Sequence, residues 1–155
     1  MPVIGVLGAG SPDIPGIILN LAALREALAE TGYNEGQNVA IEYRWAERRA
    51  ERLPALAAEL VARKVDVIVT EGGDVTTLAA KNATSTIPIV FHGLSDPVAL
   101  GWAGSRNRPG GNLTGVNMLG GELIPRLRDL LLELVPQAKL IGVLQDPAAH
   151  WIVRR

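Results

Sequence analysis

Cysteine is absent from all 155 residues, so disulfide frameworks, thiolate nucleophiles and cysteine-based metal sites are excluded, and the redox compartment stays open. Histidine occurs only twice, at His92 and His150. Two scattered imidazoles offer no recognisable metal-ligand spacing and too little general acid–base chemistry for most hydrolytic machinery, and no metal or cofactor is expected. Aromatic side chains are equally scarce: one Phe, two Tyr and three Trp make up 4% of the chain. Trp45, Trp102 and Trp151 stand in three separate segments, a distribution that suits packing better than a stacking platform for bases. No Gly-Lys-Ser/Thr sequence is present, which removes a phosphate loop. Neither sign of charge dominates, and a net charge of -1 argues against a nucleic-acid partner. No apolar run approaches the roughly 18 residues of a membrane span.

What the chain does contain is ordinary for a globular fold, with 48% hydrophobic and 20% charged residues. The length allows one domain with a real core. Met1-Pro2-Val3 leads directly into an apolar run, without the basic and long apolar regions of a secretory leader.

Hydrophobic periodicity then alternates between two kinds. Val3 to Leu7 reads as a buried strand closed by Gly8-Ala-Gly-Ser-Pro12, and Ile17, Leu21, Leu24 and Leu28 follow at helical steps up to Gly32. Asn38 to Trp45 is a second strand with Val39, Ile41 and Tyr43 on one face, and a helix from about Arg49 to Arg63 carries Leu53, Leu56 and Leu60. Val65 to Thr70 leads through Glu71-Gly-Gly-Asp74 into a helix reaching about Thr84, with Asp74 placed to cap it. Ile87 to Phe91 and Leu113 to Val116 supply two further strands. Regular alternation of this kind predicts an α/β fold, a three-layer α/β/α doubly wound parallel sheet with the flavodoxin-like order 2-1-3-4-5. Beyond Asn117, a helix with Leu123, Leu127, Leu130 and Leu134 precedes an apolar strand from Leu140 to Leu144.

In such a sheet, ligands gather beyond the carboxyl ends of the strands. The turns Gly8 to Asp13, Gly72 to Thr76, His92 to Pro97 and Gly115 to Asn117 all belong to that edge. Helix starts there favour an anionic group such as an amino-acid carboxylate, and Asp74 or Asp96 could hold its ammonium. The plainer reading of the same residues is turn and capping chemistry. Enzyme motifs fail on spacing. Gly8-Ala-Gly-Ser-Pro-Asp13 begins like a dinucleotide fingerprint but places Asp13 where the third glycine belongs. Gly93-Leu-Ser-Asp-Pro97 has proline where a nucleophile elbow needs glycine, so no catalytic residue is expected. The arginines at 44, 48, 49 and 52, interleaved with Glu47 and Glu51, read as a solvated helix start.

Three stretches together carry a family resemblance: Pro88-Ile-Val-Phe-His-Gly-Leu-Ser-Asp-Pro-Val-Ala-Leu-Gly101 with Asn107 to Val116, Gly36-Gln-Asn-Val-Ala-Ile-Glu-Tyr-Arg-Trp-Ala46, and Arg52-Leu-Pro-Ala-Leu-Ala-Ala-Glu-Leu-Val61. From Val3 to about Pro147 the chain resembles the periplasmic substrate-binding proteins of ABC importers, type I, in the branch related to tryptophan and tyrosine uptake. The resemblance implies a single first lobe over residues 1–117 and a helix and strand over 118–147 resembling the start of a truncated second lobe. Residues 148–155 form an unmatched tail. It implies ligand contacts from Gly10, Ser11, Gly73, Asp74, Ser95 and Asp96, a small organic solute such as an aromatic amino acid, an ABC permease as partner and a periplasmic location. The missing leader leaves a cytoplasmic location open. Two alternatives are a non-transporting oligomerisation or regulatory module and a small flavodoxin-like enzyme. The apolar face of residues 120–144 is expected to bury itself in a homodimer.

Overall fold

The computed structural model describes residues 1–140 apart from Leu94, Arg106, Asn107, Pro109 and Leu119. Strand β1 (Val3–Gly8) is followed by helix α1 (Pro15–Glu30), β2 (Ala40–Trp45), a 3-10 turn at Ala50–Arg52 and α2 (Leu53–Ala62). Then come β3 (Val67–Glu71), α3 (Asp74–Ala83), β4 (Ile89–Gly93), β5 (Leu113–Asn117) and α4 (Gly120–Leu134). Every ladder is parallel, and the sheet order is β2-β1-β3-β4-β5, as the alternation predicts.

That order explains the layers. The chain leaves β1 toward β2, then returns across β1 to β3, and right-handed crossovers in opposite directions place their helices on opposite faces. On one face Ile4 and Val6 pack with Ile17 and Leu21 of α1 and with Val39. On the other, Leu7, Ile68, Ile89 and Phe91 meet Leu53, Leu56 and Leu60 of α2 and Ala79 and Ala80 of α3. Side chains alternate between faces along each strand, so one six-residue strand feeds both cores.

Helix α1 stops as its sequence suggests. Tyr33 N–H donates to the Leu28 carbonyl at 2.8 Å and Gly32 N–H to Ala29 at 2.9 Å, with Gly32 at φ 87°. This paired pattern is a Schellman end, and it needs a residue that tolerates positive φ at Gly32. Four boundaries move from their sequence-based positions, one of them that of β4, which runs from Ile89 to Gly93 and not from Ile87 to Phe91. β2 begins at Ala40 because Asn38 is spent in a turn, its side chain bonding Asn34 N–H and the Gly32 carbonyl, each at 2.7 Å. The second helix begins at Leu53 after the 3-10 turn, with Pro54 in its first turn, where the missing N–H does no harm. β3 begins at Val67, since Asp66 serves as a tie, its carboxylate accepting from Val3 N–H at 2.7 Å.

Two tryptophans pack as expected. Trp45 lies over Gly8 and stacks on Tyr43 with ring centroids 6.4 Å apart, while Trp102 packs beside the α2–α3 core. Arg25 covers the other side of this ladder, its guanidinium 5.5 Å from the Tyr43 ring centre and bonded to Glu35 at 2.7 Å. Burial, followed by the Glu35 charge, raises the Tyr43 phenol above its ordinary pKa. Trp151, His150 and residues 141–144 of the expected last strand lie outside the described residues.

Two apolar surfaces stay bare. Leu123, Leu127, Leu130 and Leu134 of α4 are all exposed, and on the α1 side of the sheet Val90 and Val116 are uncovered. β4 and β5 hold these valines in step with His92 and Thr114 on the same face, beyond the reach of α1.

The close contact at Gly8 gives a test of the packing. A Cβ there would fall 2.0 Å from a Trp45 ring carbon, whereas one at Gly16 in α1 would meet nothing within 4 Å. Gly8→Ala should lower unfolding free energy by about 1–3 kcal/mol in urea titrations, through overpacking. Gly16→Ala should raise it by about 0.5 kcal/mol. Equal stability of Gly8→Ala and the parent would show that Trp45 does not sit on Gly8.

Candidate functional site

Because the sheet is wholly parallel, the exits of β1, β3, β4 and β5 open on one edge, and the residues expected to touch a ligand all follow those exits. Gly10 and Ser11 follow β1, Gly73 and Asp74 follow β3, and Ser95 and Asp96 follow β4. The β1 and β3 exits are tied by Ala9 N–H donating to the Glu71 carbonyl at 3.0 Å. Gly72, at φ 102°, lets them touch: a Cβ on it would lie 2.7 Å from that of Ala9. Gly73, at φ 86°, completes a turn that L side chains resist.

Asp74 does not cap α3. Gly73 holds the cap position without a side-chain bond, and Asp74 is the first helical residue. Its carboxylate is turned to the β4 exit, where Ser95 Oγ donates to Oδ2 at 2.5 Å. The other oxygen, Oδ1, is buried without a hydrogen-bond partner among the described residues, as is Thr76 Oγ1 two residues further on. A buried polar group of this kind is costly to leave without a partner. The start of α3 is otherwise well anchored, with Thr70 and Thr77 hydroxyls 3.0 Å apart and Thr77 Oγ1 donating to the Gly73 carbonyl at 3.2 Å.

The β5 exit braces Ser95 from behind. Asn117 Nδ2 donates to the Ser95 carbonyl, and Met118 N–H donates to the Gly93 carbonyl at 3.0 Å. Asp96 accepts from Val98 N–H at 3.0 Å, an Asx turn that starts the following loop. Ser11 donates to Asp13, and this bond is the main reason the Asp13 carboxyl is held below its ordinary pKa. Of the six residues, Asp74 and Ser95 are in direct contact, while Ser11 turns its hydroxyl to Asp13.

Sequence reasoning puts the Gly115 to Asn117 turn on this edge without giving Asn117 a role, and its amide positions Ser95. One part of the rim it misses altogether. It is the β2 exit, where Glu47 and Arg48 adopt φ 54° and 64°. Three backbone bonds lace this exit to the β1 loop: Ala46 N–H to Gly8 at 2.8 Å, Glu47 N–H to Gly10 at 2.9 Å and Arg48 N–H to Ala9 at 2.8 Å. Glu47 is pinned by Arg49 at 2.7 Å and Arg52 at 2.6 Å, and these two bonds hold its carboxyl below the usual glutamate range. No glycine marks this left-handed turn, so nothing in Ala46-Glu-Arg-Arg49 announces it.

The rim can bind and orient a polar molecule through one carboxylate, hydroxyls and backbone amides. Among the described residues no group of three His, Asp or Glu side chains could hold a metal ion. Residues 13–153 match the family model described as ABC transporter substrate binding protein. The chain belongs to this family. It is 34% identical over 121 residues to a tyrosine-binding protein of Clostridioides difficile (strain R20291), covering 78% of this chain and 34% of that protein. A conserved domain protein from Vibrio cholerae superposes with TM-score 0.74 at 28% identity, over 88% of this chain and 44% of the other. A Streptococcus pneumonia ABC domain in complex with L-Trp gives TM-score 0.67 at 28% identity, over 75% and 38%. The ligand-free, open structure of a substrate binding protein with adhesive properties from Clostridium difficile also gives 0.67, at 26% identity over 82% and 43%.

The described sheet and helices are therefore a periplasmic-binding-protein lobe, and the chain spans about a third of the curated relative's length. These substrate-binding relatives are not named for catalysis, in keeping with the failed enzyme motifs. Among the described residues no helix is long and apolar enough to cross a membrane.

Proposed function

We propose that the chain is the solute-binding component of an ABC importer, taking up a small organic solute such as an aromatic amino acid and presenting it to a permease outside the cytoplasm, in the periplasm. Residues 1–117 supply the ligand-binding lobe, and residues 118–147 open a second lobe. The observation that carries this reading is the Asp74–Ser95 contact at the shared edge, with Asp74 Oδ1 buried and unpartnered beside it. A carboxylate in that position suits a ligand ammonium. Gly10, Ser11, Gly73 and Asp96 complete the proposed contacts. The named ligands of two relatives, tyrosine and L-Trp, support the solute class. In a two-lobe protein the solute would be clamped by hinged closure, stabilised through contacts made only in the closed state.

One lobe buries only part of a small ligand, so affinity should be modest. Calorimetry of the chain with tyrosine and tryptophan should give dissociation constants weaker than micromolar, and Asp74→Asn should weaken them further by about tenfold. Sub-micromolar binding to a monomer would contradict the need for a second lobe. Binding unaffected by Asp74→Asn would remove the carboxylate from the site.

A homodimer through residues 120–144 is the second part of the proposal, favoured by the bare leucines of α4. Burying a leucine is worth about 1.5–3 kcal/mol, enough for a few of them to hold two chains together. Light scattering at micromolar concentration should report about twice the 16.4 kDa chain mass. The double variant Leu127→Glu and Leu130→Glu should return a monomer. A monomeric parent would mean that α4 packs within its own chain.

A further inference from the structure

Four arginines cluster around the β2 exit, and three are engaged. Arg44 bonds Glu59 at 2.7 Å and Glu42 at 3.3 Å, and Arg49 and Arg52 share Glu47. Arg48 alone of the four forms no side-chain hydrogen bond or ion pair among the described residues, and it is exposed. It is also held where an arginine is least at ease, at φ 64°, directly after another left-handed residue. Such a conformation costs a non-glycine residue on the order of 1 kcal/mol, and it persists only where the surroundings enforce it. Here the enforcement is visible, in the three backbone bonds to Gly8, Ala9 and Gly10 and in the two arginines on Glu47. Glycine at position 48 would fit the same turn without strain, but it would bring no charge.

We infer that Arg48 is a specificity-determining residue of the solute site, its guanidinium taking the carboxylate of the ligand at the end of the rim opposite Asp74. This deepens the proposed function and rests on it. The backbone bond from Arg48 to Ala9 fixes the residue against the Gly8–Ser11 loop, on the outer side of the β1 exit, while Asp74 lies beyond β3. The Arg48 charge reaches this loop, since it contributes to holding Asp13 ionised behind the larger effect of Ser11. A rim with an exposed cation, not engaged in a hydrogen bond or ion pair among the described residues, at one end and a half-partnered carboxylate at the other is complementary to a zwitterion. Guanidinium is also the side chain best shaped to grip a carboxylate through two parallel bonds.

The test uses the full chain and two soluble probes, L-tryptophan and L-tryptophanamide, which differ only in the carboxylate, titrated by NMR chemical shift. Arg48→Gly should weaken tryptophan about tenfold, leave the already weaker tryptophanamide unchanged, and keep or raise the thermal midpoint because glycine relieves the left-handed turn. Arg48→Lys should fall between, keeping the charge without the fork. Equal tryptophan affinity in the parent and Arg48→Gly would overturn the inference while leaving the proposed function standing. Equal losses for both probes would overturn it too, by showing that the change acts through the loop and not through the carboxylate. If tryptophan fails to bind the parent chain, the proposed function falls and this assignment falls with it.

Discussion

Parallel pairing of all five strands is the constraint on which the rest of the structure depends. It sends every strand exit to the same edge, so that turns distant in sequence, such as those at Ser11, Asp74, Ser95 and Asn117, become one rim. It also forces crossover helices onto the faces, and those helices bury both sides of β1 and β3. Since β1 lies between β2 and β3, its exit loop is the centre of the rim, and both neighbours are bonded to it through the backbone. The rim is thus built largely from main-chain hydrogen bonds, with few side chains left to supply chemistry.

Those few are disposed unequally. The β3–β4 side carries a carboxylate whose Oδ2 is satisfied by Ser95 and whose Oδ1 is buried without a partner. The β1–β2 side carries a hydroxyl and an aspartate that satisfy each other, beside the exposed Arg48, whose side chain forms no hydrogen bond or ion pair among the described residues. For the buried Asp74 oxygen the desolvation is already spent when a partner arrives, so a donor there gains most, whereas the exposed Arg48 must still shed water. The same contrast separates the rim, with its incomplete polar groups, from α4, whose exposed leucines offer only apolar surface.

The architecture was legible because periodicity reports burial, and burial in a doubly wound sheet is strong and regular. Val39, Ile41 and Tyr43 do share a face, and the helices do present Leu53, Leu56 and Leu60 or Ile17 and Leu21 to the cores. Boundaries were less legible, since Asn38, Arg52 and Asp66 spend themselves on turns and ties that hydropathy does not register. Asp74 shows the limit for the site. An aspartate after two glycines is a helix-cap pattern locally, and only the position of the β4 exit turns it toward Ser95. Arg48 was hidden more deeply, because a left-handed arginine has no sequence signature. Its role rests on a backbone lacing visible only in three dimensions.

The central claim is that the edge formed by the β1, β3 and β4 exits is the solute site. Mapping amide chemical-shift changes in the isotopically labelled chain during titration with tryptophan addresses it most directly. The expected result is one contiguous set of perturbations at Ala9 to Ser11, Gly73 to Asp74 and Ser95 to Asp96, fading along the strands toward their amino ends. Perturbations confined to α4 or to the bare face at Val90 and Val116, with the rim silent, would contradict the account.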